Sequence, residues 1–355
     1  MNATTSLKAL CEQVSIETAS VKVFTLRAVG APADFLDSLE PGKHVALHAA
    51  DTAGTHHQRL YSITRKHGPD RFDIAVKREG HGGVSDQLHA TLHAGSSTAV
   101  QFVAGDISLA SILDCRQVGM LAGGIGITLP IALLRGLAER ARRGLAVPDV
   151  SLLLCVPSIA EVAFLQELLA LELTTSWFSL QVFITREAVN DNGHFSAGRP
   201  QAQDLSRLGN PDSVVICGSH GFAQGMREHA LAMFPASRLL IESFTPPAAP
   251  VTAAQAEVED RADATLRLYL NHNDQVLEPT AGKSLLEMLE TGGIAVRSLC
   301  RAGICGHCRL KVSQGHYTLE PDFCLTDKDK AEGYALACCT FPQSGTVKVD
   351  LTTPA

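Results

Sequence analysis

The segment Cys300-Arg-Ala-Gly-Ile-Cys305-Gly-His-Cys308 decides the fold of the C-terminal part of the chain. With Cys338, which follows after 29 intervening residues, it gives the spacing C-x4-C-x2-C-x29-C. Plant-type domains hold a [2Fe–2S] cluster with this spacing. Small residues between the cysteines let the loop wrap closely around a cluster and direct backbone N–H groups at its sulfur atoms. Cys300, Cys305, Cys308 and Cys338 are therefore the predicted iron ligands.

Two questions about this site stay open in the sequence. A zinc site usually draws on two short C-x2-C pairs, whereas only Cys305 and Cys308 form such a pair here, which favours the iron–sulfur cluster. Cys338 is followed directly by Cys339, so the fourth ligand is ambiguous. The residues not used as ligands, Cys324 and Cys339, are expected to be packing or spare thiols.

The segments just before the cysteines, together with the cysteine motif, predict a small mixed α+β domain over residues 264–355. Ala264-Thr-Leu-Arg-Leu-Tyr-Leu270 has the pattern of a strand, and Ser284-Leu-Leu-Glu-Met-Leu-Glu-Thr291 that of a short capped helix. A Pro- and Ala-rich stretch without periodicity precedes this domain and predicts a semi-rigid linker over residues 246–263.

Two further patterns divide the residues before the linker. Short apolar alternations separated by Pro and Gly turns, such as Arg71-Phe-Asp-Ile-Ala-Val-Lys77, predict an antiparallel β-barrel over residues 1–112. Buried strands that alternate with helices, such as Ser151-Leu-Leu-Leu-Cys-Val156, predict an α/β domain with a parallel sheet over residues 113–245. The predicted fold class is therefore multidomain.

Length and composition agree with this division. The chain has 355 residues, of which 45% are hydrophobic and 19% charged, as in a globular protein of two or three domains. A formal charge of -7 offers no general attraction for nucleic acid or an anionic membrane. Because no segment has the length and apolarity of a membrane span or a signal peptide, we expect a cytoplasmic protein without a membrane partner.

A one-electron cluster needs an electron source, and flavin is the cofactor that divides the electron pair of a hydride donor. In Arg59-Leu-Tyr61-Ser62, an extended strand places Arg59 and Tyr61 on one face, a cation for a phosphate beside a ring for a flavin. Downstream, a glycine turn leads into a helix, where backbone N–H groups and a hydroxyl can bind a pyrophosphate. The residues of this turn are Gly82, Gly83, Val84 and Ser85.

A second glycine-rich turn follows the first strand of the predicted parallel sheet. Gly123, Gly124, Gly126 and Thr128 lie between this strand and an apolar helix, where backbone N–H groups can approach a dinucleotide pyrophosphate. The segment Cys217-Gly218 ends a later strand of the same sheet.

Together, these motifs resemble those of the ferredoxin–NADP reductase superfamily with a C-terminal ferredoxin domain, and the resemblance covers nearly the whole chain. It implies a flavin-binding β-barrel, a Rossmann-like nicotinamide domain and a β-grasp [2Fe–2S] domain. It makes Arg59 a phosphate ligand, Tyr61 the ring that packs on the flavin and Ser62 a hydrogen-bonding partner near flavin N5. It also places Cys217 and Gly218 near the nicotinamide. Glu242 and Phe244, at the end of this module, are expected to shield the flavin.

The resemblance also guides the choice of cofactors and of the fourth ligand. The G-x-x-S turn from Gly82 to Ser85 is similar to that of FAD members, so FAD is favoured over FMN. The segment Cys155-Val-Pro-Ser158 lacks the basic residue typical of NADPH binders, which favours NADH, although Arg186 leaves NADPH open. Ala335-Leu-Ala-Cys338 resembles the final ligand motif of plant-type ferredoxins, which favours Cys338 over Cys339.

Some positions depart from the family pattern. Leu129 separates Thr128 from the proline that normally follows it, Ser219 replaces a proline after Cys217-Gly218, and no role is assigned to Ala104-Gly-Asp-Ile107.

The predicted function is electron transfer from NADH through a flavin and a [2Fe–2S] cluster to a separate protein. The predicted catalytic residues are Tyr61, Ser62, Cys217 and Glu242. We expect the acceptor to be a Rieske-type oxygenase and the reductase to be a monomer or weak oligomer. A reductase of hybrid-cluster protein is the alternative, because Leu325-Thr-Asp and Glu332-Gly-Tyr resemble that group's ferredoxin domain. A redox sensor is a third possibility, for which no signalling element is found in the sequence.

Overall fold

The computed structural model describes residues 7–189, 194–244, 267–270, 275–277, 282–298, 301, 303, 306–319, 325 and 327–351. The chain divides into two compact units, residues 1–242 and 243–355. The predicted linker 246–263 lies outside the described residues, as do Cys300, Cys305 and Cys324.

Six antiparallel strands close into a barrel at the start of the first unit, in the order β1-β2-β5-β4-β3-β6. The barrel encloses apolar side chains that alternate along the strands, among them Phe24, Leu47 and Phe72, all fully buried. Two short helices accompany it. The elements are β1 (Leu7–Ile16), β2 (Val21–Val29), α1 (Ala33–Ser38), β3 (His44–Ala50), β4 (His56–Lys66), β5 (Arg71–Lys77), α2 (Val84–Thr91) and β6 (Ser97–Ala104).

A six-stranded sheet follows in the order β10-β9-β8-β7-β11-β12. Its paired strands from β7 to β11 run parallel, and their continuous apolar runs are buried. The strand order reverses between β7 and β11, and such a switch point is where open α/β sheets bind ligands. The elements are β7 (Gln117–Gly123), α3 (Thr128–Arg142), β8 (Asp149–Val156), α4 (Leu165–Thr174), β9 (Phe178–Ile184), β10 (Phe195–Ala197), β11 (Ser213–Gly218), α5 (His220–Leu231) and β12 (Leu239–Ser243).

The second unit contains a five-stranded mixed sheet in the order β14-β13-β17-β15-β16. Helix α6 packs its buried leucines into the core of this unit, and Ser284 caps the helix by accepting a hydrogen bond from the Glu287 N–H. The elements are β13 (Arg267–Leu270), β14 (Gln275–Leu277), α6 (Leu285–Thr291), β15 (Arg309–Leu319), α7 (Asp327–Ala331), β16 (Tyr334–Leu336) and β17 (Thr340–Asp350).

This architecture confirms the predicted fold class of barrel, parallel α/β sheet and small α+β domain. Within the described part of the chain, we find no helix with the length and apolarity needed to cross a membrane.

A charged clasp joins the barrel to the parallel sheet inside the first unit. Arg135 of α3 donates from Nε and Nη2 to the two carboxylate oxygens of Glu167, at 2.8 and 2.6 Å. Its Nη1 donates to the Thr64 carbonyl in β4 at 3.0 Å, and Arg65 of the same strand also reaches Glu167. The Arg135 side chain is 16% exposed and that of Glu167 is 37% exposed, so these bonds are only partly shielded from water.

We expect Arg135→Met to lower the stability of the first unit by about 1–2 kcal/mol, because Glu167 is then left with only the more exposed Arg65. Urea unfolding followed by the fluorescence of Trp177, the single tryptophan, measures this. Arg142→Ala is the matched control, since its ion pair with Glu139 is exposed, and should change stability by less than about 0.5 kcal/mol. Equal losses in the two variants would contradict the clasp.

The same comparison has a defined pH dependence. Burial alone would raise the pKa of Glu167, but the hydrogen bonds and charge of Arg135, with Arg65, lower this pKa below its ordinary value of 4.5. A lowered carboxylate pKa stabilises the fold above pH 4.5, and this contribution is lost as the pH falls further. The stability difference between wild type and Arg135→Met should therefore be full at neutral pH and shrink below pH 4.5.

Candidate active site

Strand β4 carries the three residues predicted to meet a flavin. The register pairs Arg59 with Leu47 and Tyr61 with Val45 of β3, so Arg59 and Tyr61 share one face of the sheet. The Arg59 side chain is exposed and donates one N–H to the Gln58 carbonyl. The structure thus presents a cation at the surface, beside a half-buried ring.

Tyr61 presents its ring in neutral form. Burial raises the pKa of its hydroxyl far above the ordinary value, and the Arg59 charge opposes this only in part. The next residue, Ser62, is buried. The strand therefore places an uncharged aromatic surface and a shielded hydroxyl next to each other.

The turn before α2 differs in one detail from the sequence prediction. The Asp86 carboxylate accepts hydrogen bonds from the N–H groups of Gly82 at 2.7 Å and Gly83 at 3.2 Å, so these two groups are engaged. The bonds to this turn, first that from the Gly80 N–H, lower the pKa of Asp86. The N–H groups of Val84 and Ser85, in the first turn of the helix, are those that helix geometry leaves for an anion.

Gly82 is required at this turn by conformation and by space. Its φ is +76°, and a Cβ there would lie 2.6 Å from the Thr52 hydroxyl, which donates to the Gly82 carbonyl. The loop around Thr52 thereby fixes the entrance to α2.

The second glycine turn lies at the switch point of the parallel sheet. β7 ends at Gly123, a 3₁₀ turn covers Gly124–Ile127, and α3 begins at Thr128. A Cβ on Gly126 would lie 2.2 Å from the Cys217 carbonyl oxygen, so this turn and the end of β11 are in direct backbone contact. Around Gly124, at φ +54°, the space within 4 Å of a Cβ is open.

Phe222 of α5 belongs to this site, although no sequence motif indicates a role for it. A Cβ on Gly123 would lie 2.5 Å from its ring, and one on Gly218 would lie 2.7 Å from it. The ring therefore packs against the last residue of both central strands. Only glycine at these two strand ends leaves room for it.

Residues of the barrel and of the parallel sheet converge at one buried point. The Thr128 hydroxyl donates to Ser62 Oγ at 3.2 Å, and Ser62 Oγ lies 3.4 Å from Glu242 Oε1. Ser62 and Glu242 are both 3% exposed, and Thr128 is 2% exposed. Thr128 and Glu242 follow Ser62 by 66 and 180 positions along the chain, so the fold itself assembles the cluster.

Cys217, another of the predicted catalytic residues, lies near this cluster. It is fully buried, and burial together with the Glu242 carboxylate raises the pKa of its thiol well above the ordinary value. A backbone hydrogen bond with Leu129 opposes the shift only in part. Cys217 is thus a neutral thiol whose sulfur is shielded from water. Phe244 follows β12 directly and is half-buried.

His44 is a member that the sequence analysis missed. It is 5% exposed, pairs with Ser62 across β3 and β4, and places Nδ1 3.9 Å from Glu242 Oε2. A Cβ on Gly105 would lie 3.1 Å from the ring, so the unassigned Ala104-Gly segment makes room for it. A buried carboxylate needs a compensating partner, and the His44 ring lies beside it.

In the second unit, the structure brings two predicted iron ligands together. Cys308 and Cys338 are 2% and 4% exposed, and their Sγ atoms lie 3.2 Å apart. The Sγ of Cys339 lies 3.4 Å from that of Cys338, which leaves the identity of the fourth ligand open. Cys300 and Cys305 lie outside the described residues, and we find no group of three or more candidate metal ligands among the residues that are described.

These residues fit the predicted groups. The exposed guanidinium of Arg59 and the first-turn N–H groups of α2 suit a phosphate, and the open space at Gly124 suits the backbone approach of a second one. Two sulfurs on one tetrahedral metal ion lie about 3.8 Å apart, so the Cys308 and Cys338 thiols need only a small separation to share an iron.

Comparison with known proteins agrees with this geometry. Residues 268–343 match the family model described as 2Fe-2S iron-sulfur cluster binding domain. The chain is 28% identical to the glycine betaine monooxygenase reductase subunit of Chromohalobacter salexigens, over 94% of this chain and 92% of that protein. It is 27% identical to NADH oxidoreductase HCR of Escherichia coli, over 86% of this chain and 87% of that protein.

Two solved structures share the fold. Phthalate dioxygenase reductase matches with a TM-score of 0.62 at 22% identity, and the match covers 98% of both chains. The flavohem-like FAD/NAD binding domain of nitric oxide dioxygenase from Vibrio cholerae matches with a TM-score of 0.58 at 26% identity, over 68% of this chain and 99% of that domain.

The comparisons confirm the resemblance to the ferredoxin–NADP reductase superfamily. The family model supports a [2Fe–2S] cluster binding domain at the C-terminal end, and the two relatives are both named as reductases or oxidoreductases.

We expect Gly126→Ala to destabilise the first unit by about 3 kcal/mol or more, because its Cβ would overlap the Cys217 carbonyl and force the two turns apart. Gly225→Ala in α5 is the matched control. No atom lies within 4 Å of a Cβ there, and the change should be neutral or stabilising by up to about 1 kcal/mol. Urea unfolding by Trp177 fluorescence compares them, and a Gly126→Ala protein as stable as the control would contradict the close approach.

Proposed function

We propose that this protein is the NADH-dependent reductase component of a Rieske-type oxygenase system and that it acts in the cytoplasm. In this role it takes electrons from NADH and delivers them through FAD and a [2Fe–2S] cluster to a separate oxygenase. The observation that carries the proposal is the buried meeting of Ser62, Thr128 and Glu242, from the barrel and the parallel sheet, in a chain that also holds paired cluster thiols.

When bound, the flavin accepts the electron pair of a hydride and the cluster carries electrons one at a time. The residues that would hold FAD are Arg59, with the N–H groups of Val84 and Ser85, at phosphate, and Tyr61 against the ring. The turn of Gly82 and Gly83 orients these N–H groups, because Asp86 fixes its backbone.

The nicotinamide dinucleotide would bind at the switch point. Gly123, Gly124 and Gly126 allow the pyrophosphate to reach the backbone at the start of α3. Gly218 and the neutral Cys217 border the same point and exclude water from it. We propose that Phe244 covers the site from β12.

Ser62, Thr128 and Glu242 orient one another next to the reacting groups. The Thr128 hydroxyl lies within hydrogen-bond distance of Ser62 Oγ and of the Ile125 carbonyl, and the Ser62 hydroxyl can donate to Glu242 or to a ligand. Glu242, with His44 beside it, can hold a proton in a site closed to bulk water. These side chains would set the geometry in which a hydride moves.

A carboxylate beside the loop after β8 supports NADH over NADPH. It belongs to Glu187, which follows β9 and accepts a hydrogen bond at 2.9 Å from the N–H of Ile159 in that loop. A carboxylate at this edge of the sheet repels the 2′-phosphate of NADPH. The similarity to NADH oxidoreductase HCR and to the FAD/NAD binding domain from Vibrio cholerae supports NADH and FAD as the cofactors.

The identity of the electron acceptor is the most specific part of the proposal. The similarity to a glycine betaine monooxygenase reductase subunit over most of both chains supports an oxygenase as acceptor. The similarity to NADH oxidoreductase HCR favours the second candidate, a reductase for hybrid-cluster protein.

We expect the wild-type protein to reduce a purified Rieske-type oxygenase with NADH under anaerobic conditions. Oxygenases and hybrid-cluster proteins encoded near this gene are the acceptors to compare. Cys308→Ala is the control: it should keep NADH-driven reduction of ferricyanide, because the first unit is intact, but lose reduction of the protein acceptor. Rapid reduction of hybrid-cluster protein alone would establish the second candidate. Equal transfer by Cys308→Ala would contradict a role for the cluster.

The preference for NADH should depend on Glu187. We expect Glu187→Gln to raise kcat/KM for NADPH by about fivefold to tenfold, as charge repulsion near a phosphate is worth about 1–1.4 kcal/mol, with little change for NADH. Glu139→Gln, at the exposed end of α3, is the control and should change neither value. If the ratio of kcat/KM for NADPH to that for NADH is unchanged in Glu187→Gln, this carboxylate does not face the nucleotide.

A further inference from the structure

The Cys338 thiol has two other thiols beside it in the core of the second unit. The Sγ atoms of Cys308 and Cys338 lie 3.2 Å apart, and those of Cys338 and Cys339 lie 3.4 Å apart. Cys339 is fully buried, as the other two nearly are. A spare thiol that served only as a small apolar side chain would have no need to lie at a ligand.

The backbone holds these thiols in place. Cys338 and Cys339 belong to a 3₁₀ turn, Ala337–Cys339, between β16 and β17. The Ala337 N–H donates to the Cys308 carbonyl at 3.0 Å, and the Thr340 hydroxyl donates to the Leu336 carbonyl at 2.8 Å. The turn is therefore anchored on both sides.

The geometry gives Cys339 access to a metal bound between Cys308 and Cys338. A change between two staggered rotamers moves a cysteine sulfur by about 3 Å, which is close to the 3.4 Å that separates the two sulfurs. A rotation of the Cys339 side chain toward Cys338 would thus carry its sulfur close to the position of its neighbour while the anchored turn stays in place.

We propose that Cys339 is a reserve ligand of the [2Fe–2S] cluster, which binds the iron when Cys338 is absent. In a chain without the Cys338 sulfur, a Cys339 Sγ–iron bond forms in place of an iron–water bond. The Cys339 thiol gives its proton to the buffer, the water is released, and no electron is transferred. The proposal rests on the cluster-binding role proposed for Cys300, Cys305, Cys308 and Cys338.

The test uses the full chain, reconstituted anaerobically with iron and sulfide, as wild type, Cys338→Ala, Cys339→Ala and the double variant. Iron and acid-labile sulfide per chain, and the electron paramagnetic resonance spectrum after reduction, are the readouts. We expect Cys339→Ala to match wild type. Cys338→Ala should retain about half or more of the iron with a shifted spectrum, and the double variant should lose nearly all of it.

Cys338→Ser decides the case if Cys338→Ala does not fold. Ligation by Cys339 keeps four cysteine ligands in this variant. The thiolate-to-iron charge-transfer bands of Cys338→Ser should therefore stay at energies typical of all-sulfur ligation. An oxygen-ligated spectrum, or a Cys338→Ala protein as poor in iron as the double variant, overturns the proposal. Loss of the cluster in Cys339→Ala alone also overturns it, because Cys339 is then the ordinary ligand. A wild-type protein that takes up no cluster overturns the proposed function instead.

Discussion

The buried carboxylate of Glu242 is the constraint on which the arrangement of the first unit depends. A carboxyl group that is 3% exposed requires hydrogen bonds or a proton from neighbouring side chains. Ser62 and His44 come from adjacent strands of the barrel, and Thr128 reaches the group through Ser62. The barrel and the parallel sheet must therefore meet in one register for this residue to be accommodated. That register also joins the residues that we propose for the flavin to those that we propose for the nicotinamide.

Two features preserve the register at different distances from Glu242. The near one is the contact of the Gly126 turn with the Cys217 carbonyl, which leaves no room for a side chain. The far one is the clasp of Arg135 and Glu167, which ties α3 to β4 through the Thr64 carbonyl. Both act on α3, the helix that begins at the predicted pyrophosphate site. The predicted pyrophosphate site and the contact between the barrel and the parallel sheet consequently depend on the same helix.

The sequence predicted the features that are local along the chain. The R-x-Y-S strand and the glycine turns each involve residues within a few positions of one another, and the structure places them on the expected strand and helix starts. The fold class followed from strand and helix periodicity for the same reason. What the sequence could not predict depends on contacts between distant residues. His44 joins Glu242 only because β3 lies beside β4, and Phe222 fills a space that two separate strand ends create.

The Asp86 interaction shows a different reason for an incomplete prediction. Its position three residues after Gly83 is visible in the sequence, but whether a carboxylate in the first turn of a helix caps the turn or faces solvent depends on the path of the preceding loop. Here Thr52 fixes that loop on Gly82, and Asp86 then takes the N–H groups that had been predicted for a pyrophosphate. The thiols at Cys338 and Cys339 are a similar case, because adjacency in sequence does not tell whether their sulfurs converge.

An anaerobic titration of the purified full chain with NADH, after its flavin and iron have been identified and quantified, tests whether NADH, flavin and cluster form one electron-transfer chain. The account predicts one FAD and a [2Fe–2S] cluster per chain, and visible bands of both that bleach as NADH is added. A protein that holds neither flavin nor iron after anaerobic reconstitution, or bands that NADH leaves unchanged, would contradict it.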